Sequence, residues 1–167
     1  MPIPNPDHLL DRAERSIAPG RGAPRQVDLR RALSDAYYAL FHTVAIAAAD
    51  QLAGKARRSD SLYALVYRSV EHRALRQLCE DIGKPTLPAK YQRYLQSRGL
   101  GLAIATFALV LVDLQAKRHA ADYDPMIRLT AGDVRIAVRL ARRALTLFSI
   151  PRRGRSVFLL LLMFPPR

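Results

Sequence analysis

The sequence predicts an all-α fold, an antiparallel up-and-down bundle of four to five helices, and three observations carry that expectation. Half of the chain is apolar, and much of that half is Ala and Leu, which favour helix. Trp is absent and aromatics make up only 7%, so the residues that mark strands are sparse. Apolar residues also recur at three- and four-residue steps in segment after segment, the period of a helix with one buried face.

The elements follow in chain order. Asn5 before Pro6 and Asp7 reads as an N-cap followed by proline at the first helical position, opening a helix that runs to about Ile17. PGRGAPR (19–25) is a loop. A long helix follows from about Gln26 to Ala53, with Leu33, Tyr37, Leu40, Val44, Ala48 and Leu52 on its apolar stripe and Gly54 at its end. A third helix fits Ser59 to Ile82, with Ser59 as cap and Gly83 as stop. KPTLP (84–88) breaks the chain before a short helix near 89–97.

The segment from Leu100 to Asp122 reads as a helix closed by Asp124-Pro125. Its start, LGLAIATFALVLV (100–112), is nearly all apolar but shorter than the roughly 20 residues a membrane span needs. It suits a helix buried on most sides or a homodimer seam. Thr130 and Asp133 resemble a capping box before a last helix over 131–149, which Pro151 ends. On that helix Val134, Val138, Ala141, Leu145 and Phe148 form the apolar stripe, and Arg135, Arg139, Arg142 and Arg143 share an exposed face.

The length fits one domain over 1–150, followed by a basic and then apolar tail over 151–167. The apolar run 157–164 is too short to span a bilayer; docking in a groove, shallow insertion at a membrane surface and an extension without function all stay open. A lone cysteine, Cys79, excludes an internal disulfide and a multi-cysteine metal site. The N-terminus MPIPNPDHLLDR lacks a basic-then-apolar leader, so a cytoplasmic location is expected.

Basic residues outnumber acidic ones 27 to 14, a net charge of +13, and nearly all the bases are Arg. Such an excess attracts polyanions, and the planar guanidinium suits phosphate; coding bias would produce the same excess.

Three polar clusters sit on otherwise apolar helices. Arg31, Asp35, Tyr38 and His42 line one stripe of the second helix, readable as a structural network in which Asp35 pairs with Arg31 and His42 caps a buried polar contact. Arg68 and His72, four apart, join a permanent cation to a group titrating near pH ~6.5, as metal-free phosphodiester cleavage requires. An ordinary solvated face would show the same two residues. Lys117, Arg118 and His119 precede Ala120-Ala121-Asp122-Tyr123, so Arg118 can pair with Asp122 and His119 with Tyr123. Those pairs fasten the helix end, or complete a phosphate pocket if the third and fourth helices are neighbours. The chain has no phosphate-binding glycine loop, no HExxH and no GxSxG elbow, so neither a metal nor another cofactor is expected.

Two segments resemble a known family. RRALSDAYYALFHTVA (30–45) looks like the AYYALFH-type helix of HEPN domains, and KRHAADYDP (117–125) looks like the R-x-x-ADY element of one branch of that family, in the same order and at similar separation. The resemblance covers roughly residues 5–150. It implies a helical bundle, usually homodimeric, and in many members a metal-independent ribonuclease, including toxins that pair with an antitoxin. Those ribonucleases use an Arg and a His separated by four to six residues. Here three residues separate Arg68 from His72 and none separates Arg118 from His119.

Three functions follow as expectations. The first is a metal-independent endoribonuclease of toxin type, with His72 as general acid or base, Arg68 as phosphate stabiliser, and Arg31, Arg118, His119 and Tyr123 contacting RNA. The second is a non-catalytic module that binds RNA or a nucleotide. The third is a protein-interaction subunit, docking through the 100–112 helix and the tail. Fold resemblance alone does not choose among them.

Overall fold

A computed structural model describes residues 3–18, 22–95 and 99–166. Among them are eight α-helices and no strand: α1 Pro6–Ser16, α2 Gln26–Ala49, α3 Ser61–Arg68, α4 His72–Ile82, α5 Ala89–Gln92, α6 Leu102–Tyr123, α7 Ala131–Ser149 and α8 Arg152–Met163. The all-α expectation holds, but the helix count exceeds four to five because the third helix is split and the tail is itself helical. Residues 19–21 of the expected loop and 96–97 of the expected short helix lie outside the described residues; of that helix Ala89–Gln92 forms.

The central element is α2, packed against α1, α6 and α7. Its stripe of Leu33, Tyr37, Leu40, Val44 and Ala48 is buried, and Ala32, Ala36, Ala39, Ala45 and Ala49 fill the remaining core positions with small side chains that let neighbours approach closely. Leu52 leaves the stripe and is exposed, because a π-helical turn over Asp50–Gly54 follows Ala49 and shifts the register. Gly54, at φ +94°, then reverses the chain.

The expected caps account for most helix starts. The Asn5 side chain accepts from the Asp7 N–H, and the Thr130 hydroxyl accepts from the Asp133 N–H. At the start of α3 the cap is Asp60, one residue beyond the expected Ser59, and its carboxylate accepts from the Leu62 N–H. The expected helix over 59–82 breaks at Ser69-Val70-Glu71. Val70 turns into the core, Glu71 takes an extended backbone, and α4 begins at His72.

On α6, Ile104, Phe107, Ala108, Leu111 and Leu114 are buried while Leu102 and Leu109 stay exposed, so the apolar start of this helix hides one face. The expected exposed basic face of α7 needs correction at Arg142. Arg142 is engaged by Asp7, Asp11 and Glu14 of α1 at 3.6, 2.7 and 2.8 Å, because α1 packs across α7. Arg135, which reaches the Ile17 carbonyl at 3.4 Å, stays exposed, as do Arg139 and Arg143.

The tail docks. Phe158, Leu159, Leu161 and Leu162 of α8 are buried, and Phe158 meets Phe148 and Phe107 at ring-centroid distances of 5.7 and 6.2 Å. Each such side chain contributes about 1.5–3 kcal/mol by burial. Gly154 permits the approach, since a Cβ there would meet the Leu100 carbonyl oxygen at 2.5 Å. No helix among the described residues is long and apolar enough to cross a membrane.

Candidate functional site

The chain concentrates polar chemistry where α2, the α3–α4 break and the C-terminal half of α6 meet. Because α2 keeps helical period through 37–42, Tyr37, Tyr38, Phe41 and His42 fall on adjoining stripes. The break after α3 turns His72 toward them. Its Nδ1 lies 2.6 Å from the buried Tyr37 hydroxyl, and Phe41 stacks on its ring at 3.7 Å between centroids. His42 is held in parallel fashion: its Nδ1 lies 2.7 Å from the Tyr67 hydroxyl, with the two rings 4° from parallel.

Tyr38 sits between the two imidazoles, 5.9 Å from His42 and 6.0 Å from His72 by ring centroids. From α6, the Arg118 guanidinium lies over the Tyr38 ring at 5.4 Å and donates to its hydroxyl at 3.3 Å. Arg118 is steadied by Asp122, 2.6 Å from its Nε but not in line for a hydrogen bond, and Ser34 of α2 donates to the same carboxylate.

Both imidazoles titrate below their ordinary value of 6.5. Partial burial is the larger cause for each, although His72 keeps an exposed side; the charge of His72 adds to it at His42, and the charge of Arg118 adds to it at His72. At neutral pH both rings are therefore mostly uncharged. Burial also pushes the phenols of Tyr37 and Tyr67 up, so each stays a neutral hydroxyl that can donate to or accept from Nδ1. Each histidine thus has one nitrogen engaged by a phenol, and its Nε2 makes no hydrogen bond among the described residues.

On the outer side of α2 a cleft of about 590 Å³ is lined by Arg12, Arg30, Arg31, Asp35, Tyr38 and His42, among others. The buried Asp35 is held chiefly by Arg12 of α1, through contacts of 2.5 and 2.7 Å, and only secondarily by the expected Arg31 at 3.8 Å. Arg30 fixes the end of α6. It donates to the carbonyls of Ala121, of Asp124 at 3.1 Å and of Ile127 at 2.9 Å, and Gln26 bonds the Leu129 backbone on both sides. These contacts set where Arg118 and Asp122 stand.

The structure thus gathers His72, His42, Tyr38, Arg118 and Asp122 from the expected residues. His119 and Tyr123 meet edge to face at 4.8 Å but are exposed beside the cluster. Arg68 is the exposed last residue of α3, so it and His72 do not share one continuous helical face. Tyr37, expected on the core stripe, and Phe41 and Tyr67, not among the expected site residues, also belong to the site; the signal for them is the density of aromatics around His42 and His72. No group of three or more metal-binding side chains occurs among the described residues. Comparison with protein-family models, with curated proteins and with solved structures gave no match to this chain.

Proposed function

We propose that the cluster acts on RNA by acid–base chemistry, as a metal-independent endoribonuclease. The observation that carries this reading is the pair of neutral, phenol-anchored imidazoles beside Arg118. The resemblance of residues 30–45 and 117–125 to HEPN segments points the same way.

In the proposed reaction one imidazole takes the proton of a ribose 2′-hydroxyl as that oxygen attacks phosphorus. The bond to the 5′ oxygen breaks, and the second imidazole, in its protonated form, gives that oxygen a proton. The products are a 2′,3′-cyclic phosphate and a 5′-hydroxyl. Arg118 offsets the negative charge that grows on the phosphoryl oxygens. Arg68, Arg31, His119 and Tyr123 are assigned to the flanking strand, consistent with the net charge of +13.

A second reading, binding of RNA or a nucleotide without cleavage, is favoured by the Arg118–Asp122 pair, which already neutralises much of the guanidinium charge. Incubation of the protein with single-stranded RNA in EDTA separates the two. Fragments ending in cyclic phosphate support the enzyme, and intact RNA retained in a salt-sensitive manner supports binding. Intact RNA that is not retained at low salt removes both.

A further inference from the structure

The larger cleft lies away from the histidines. It holds about 920 Å³, within the range of small-molecule sites, between the N-terminal segment, the end of α2, the end of α7 and α8. Its inner wall is apolar, formed by Ile46, Ala47, Leu145, Phe148 and Leu159. Its rim is charged, and the charges do not cancel. Asp50 is satisfied by Arg58 at 2.8 Å and by the Tyr63 hydroxyl at 2.9 Å, and Asp7 faces Arg142 at 3.6 Å. Lys55 meets no carboxylate among the described residues, and Arg155 donates only to the neutral Ser149 carbonyl at 3.0 Å. Arg142 is shared with Asp11 and Glu14, so Asp7 keeps part of its charge, and the lining bases Lys55, Arg58 and Arg155 outnumber the carboxylates Asp7 and Asp50 by one over an apolar wall.

The local backbone is also unusual there. Asp50 and Gln51 line the cleft from the π-helical turn, and Gly54 at φ +94° delivers Lys55 to the rim. Such turns interrupt a helix at some cost and recur at ligand sites.

We infer that this cleft binds a small amphipathic anion, with its apolar body on the Ile46–Leu145–Leu159 wall and a phosphate or carboxylate head at Lys55 and Arg155. The site is separate from the histidine cluster and does not depend on RNA cleavage. An apolar body alone leaves both cations without an anionic partner, and an inorganic anion alone leaves the wall wet, so the two parts reinforce each other.

Titration calorimetry of the full chain with octyl phosphate, octanoate, inorganic phosphate and octanol tests the assignment. Octyl phosphate or octanoate binds one per chain and at least about tenfold tighter than phosphate or octanol, and the better of the two identifies the head group. Ala47→Phe, which fills the cleft, and Lys55→Glu, which reverses a rim charge, each lower that affinity by about tenfold or more while circular dichroism and melting stay unchanged. Should the larger Phe perturb folding, the exposed Lys55→Glu change decides. Absence of saturable binding, octanol binding as tightly as the anions, or affinity retained in Lys55→Glu overturns the inference.

Discussion

The Phe41 ring lies on the His72 imidazole, its plane 19° from parallel, while the Tyr37 hydroxyl holds the same ring at Nδ1. One contact strips water from a face of the imidazole and the other fixes its rotation. A histidine so placed resists protonation and presents Nε2 in one direction.

The titration of His42 and His72 follows. Both pKa values should fall below 6.5, since burial lowers both and a neighbouring positive charge opposes protonation of each. Nitrogen-detected NMR of the histidine rings measures this directly, and a value above 6.5 for either ring contradicts it. Phe41→Leu should move His72 back toward 6.5 by readmitting water.

Stability should respond to acid with a defined sign. Because the folded pKa values lie below the unfolded one, the unfolded chain binds protons first as pH falls. The stabilisation is complete above about pH 6.5 and is lost as pH falls through the lowered folded values. The melting temperature of the wild type should therefore drop between neutral pH and pH ~5 more than that of a His42→Gln/His72→Gln protein. Equal drops in the two proteins would contradict it.

Asp35 offers a test of the α1–α2 contact. It is buried, and Arg12 supplies its two short bonds. Arg12→Ala leaves that carboxylate with only Arg31, and a loss of about 1–3 kcal/mol is expected, moderated by the partial exposure of Arg12. In the Arg12→Ala/Asp35→Ala double variant the loss should be smaller than the sum of the two single losses, as urea denaturation will show.

Docking of α8 rests on Gly154. Gly154→Ala forces a Cβ against the Leu100 carbonyl and should cost about 1–3 kcal/mol. Hydrogen exchange should then show faster opening over 152–163. Unchanged protection would mean that the tail does not need this close approach.

Much of this fold was legible from local rules, while the site was legible only in pieces. Asn5, Thr130 and Gly83 marked helix ends because caps act within a few residues. The stripe on α2 and the Arg118–Asp122 pair were readable for the same reason. The break at 69–71 carries neither Gly nor Pro, and what accompanies it is tertiary: Val70 buried in the core and His72 bonded to Tyr37. Arg12 as the partner of Asp35 was likewise invisible, because it arrives from a different helix. Tyr37 looked like a core residue and is one, while Tyr67, which carried no such signal, is buried as well; their hydroxyls are what reach the histidines.

A reaction catalysed by the two imidazoles should have its optimum below pH ~6.5, between the two lowered values, because one ring must be neutral and the other protonated. An optimum at pH 8 or above would contradict these roles.

The most direct measurement is metal-free incubation with a mixed single-stranded RNA in EDTA, comparing wild type with His72→Ala, Arg118→Gln and Arg68→Ala. The account predicts fragments ending in 2′,3′-cyclic phosphate from the wild type. It predicts a loss of about 100-fold or more in His72→Ala, and a larger loss for Arg118→Gln than for Arg68→Ala. Cleavage by His72→Ala equal to that of the wild type, or RNA left intact by the wild type, would contradict the enzymatic assignment.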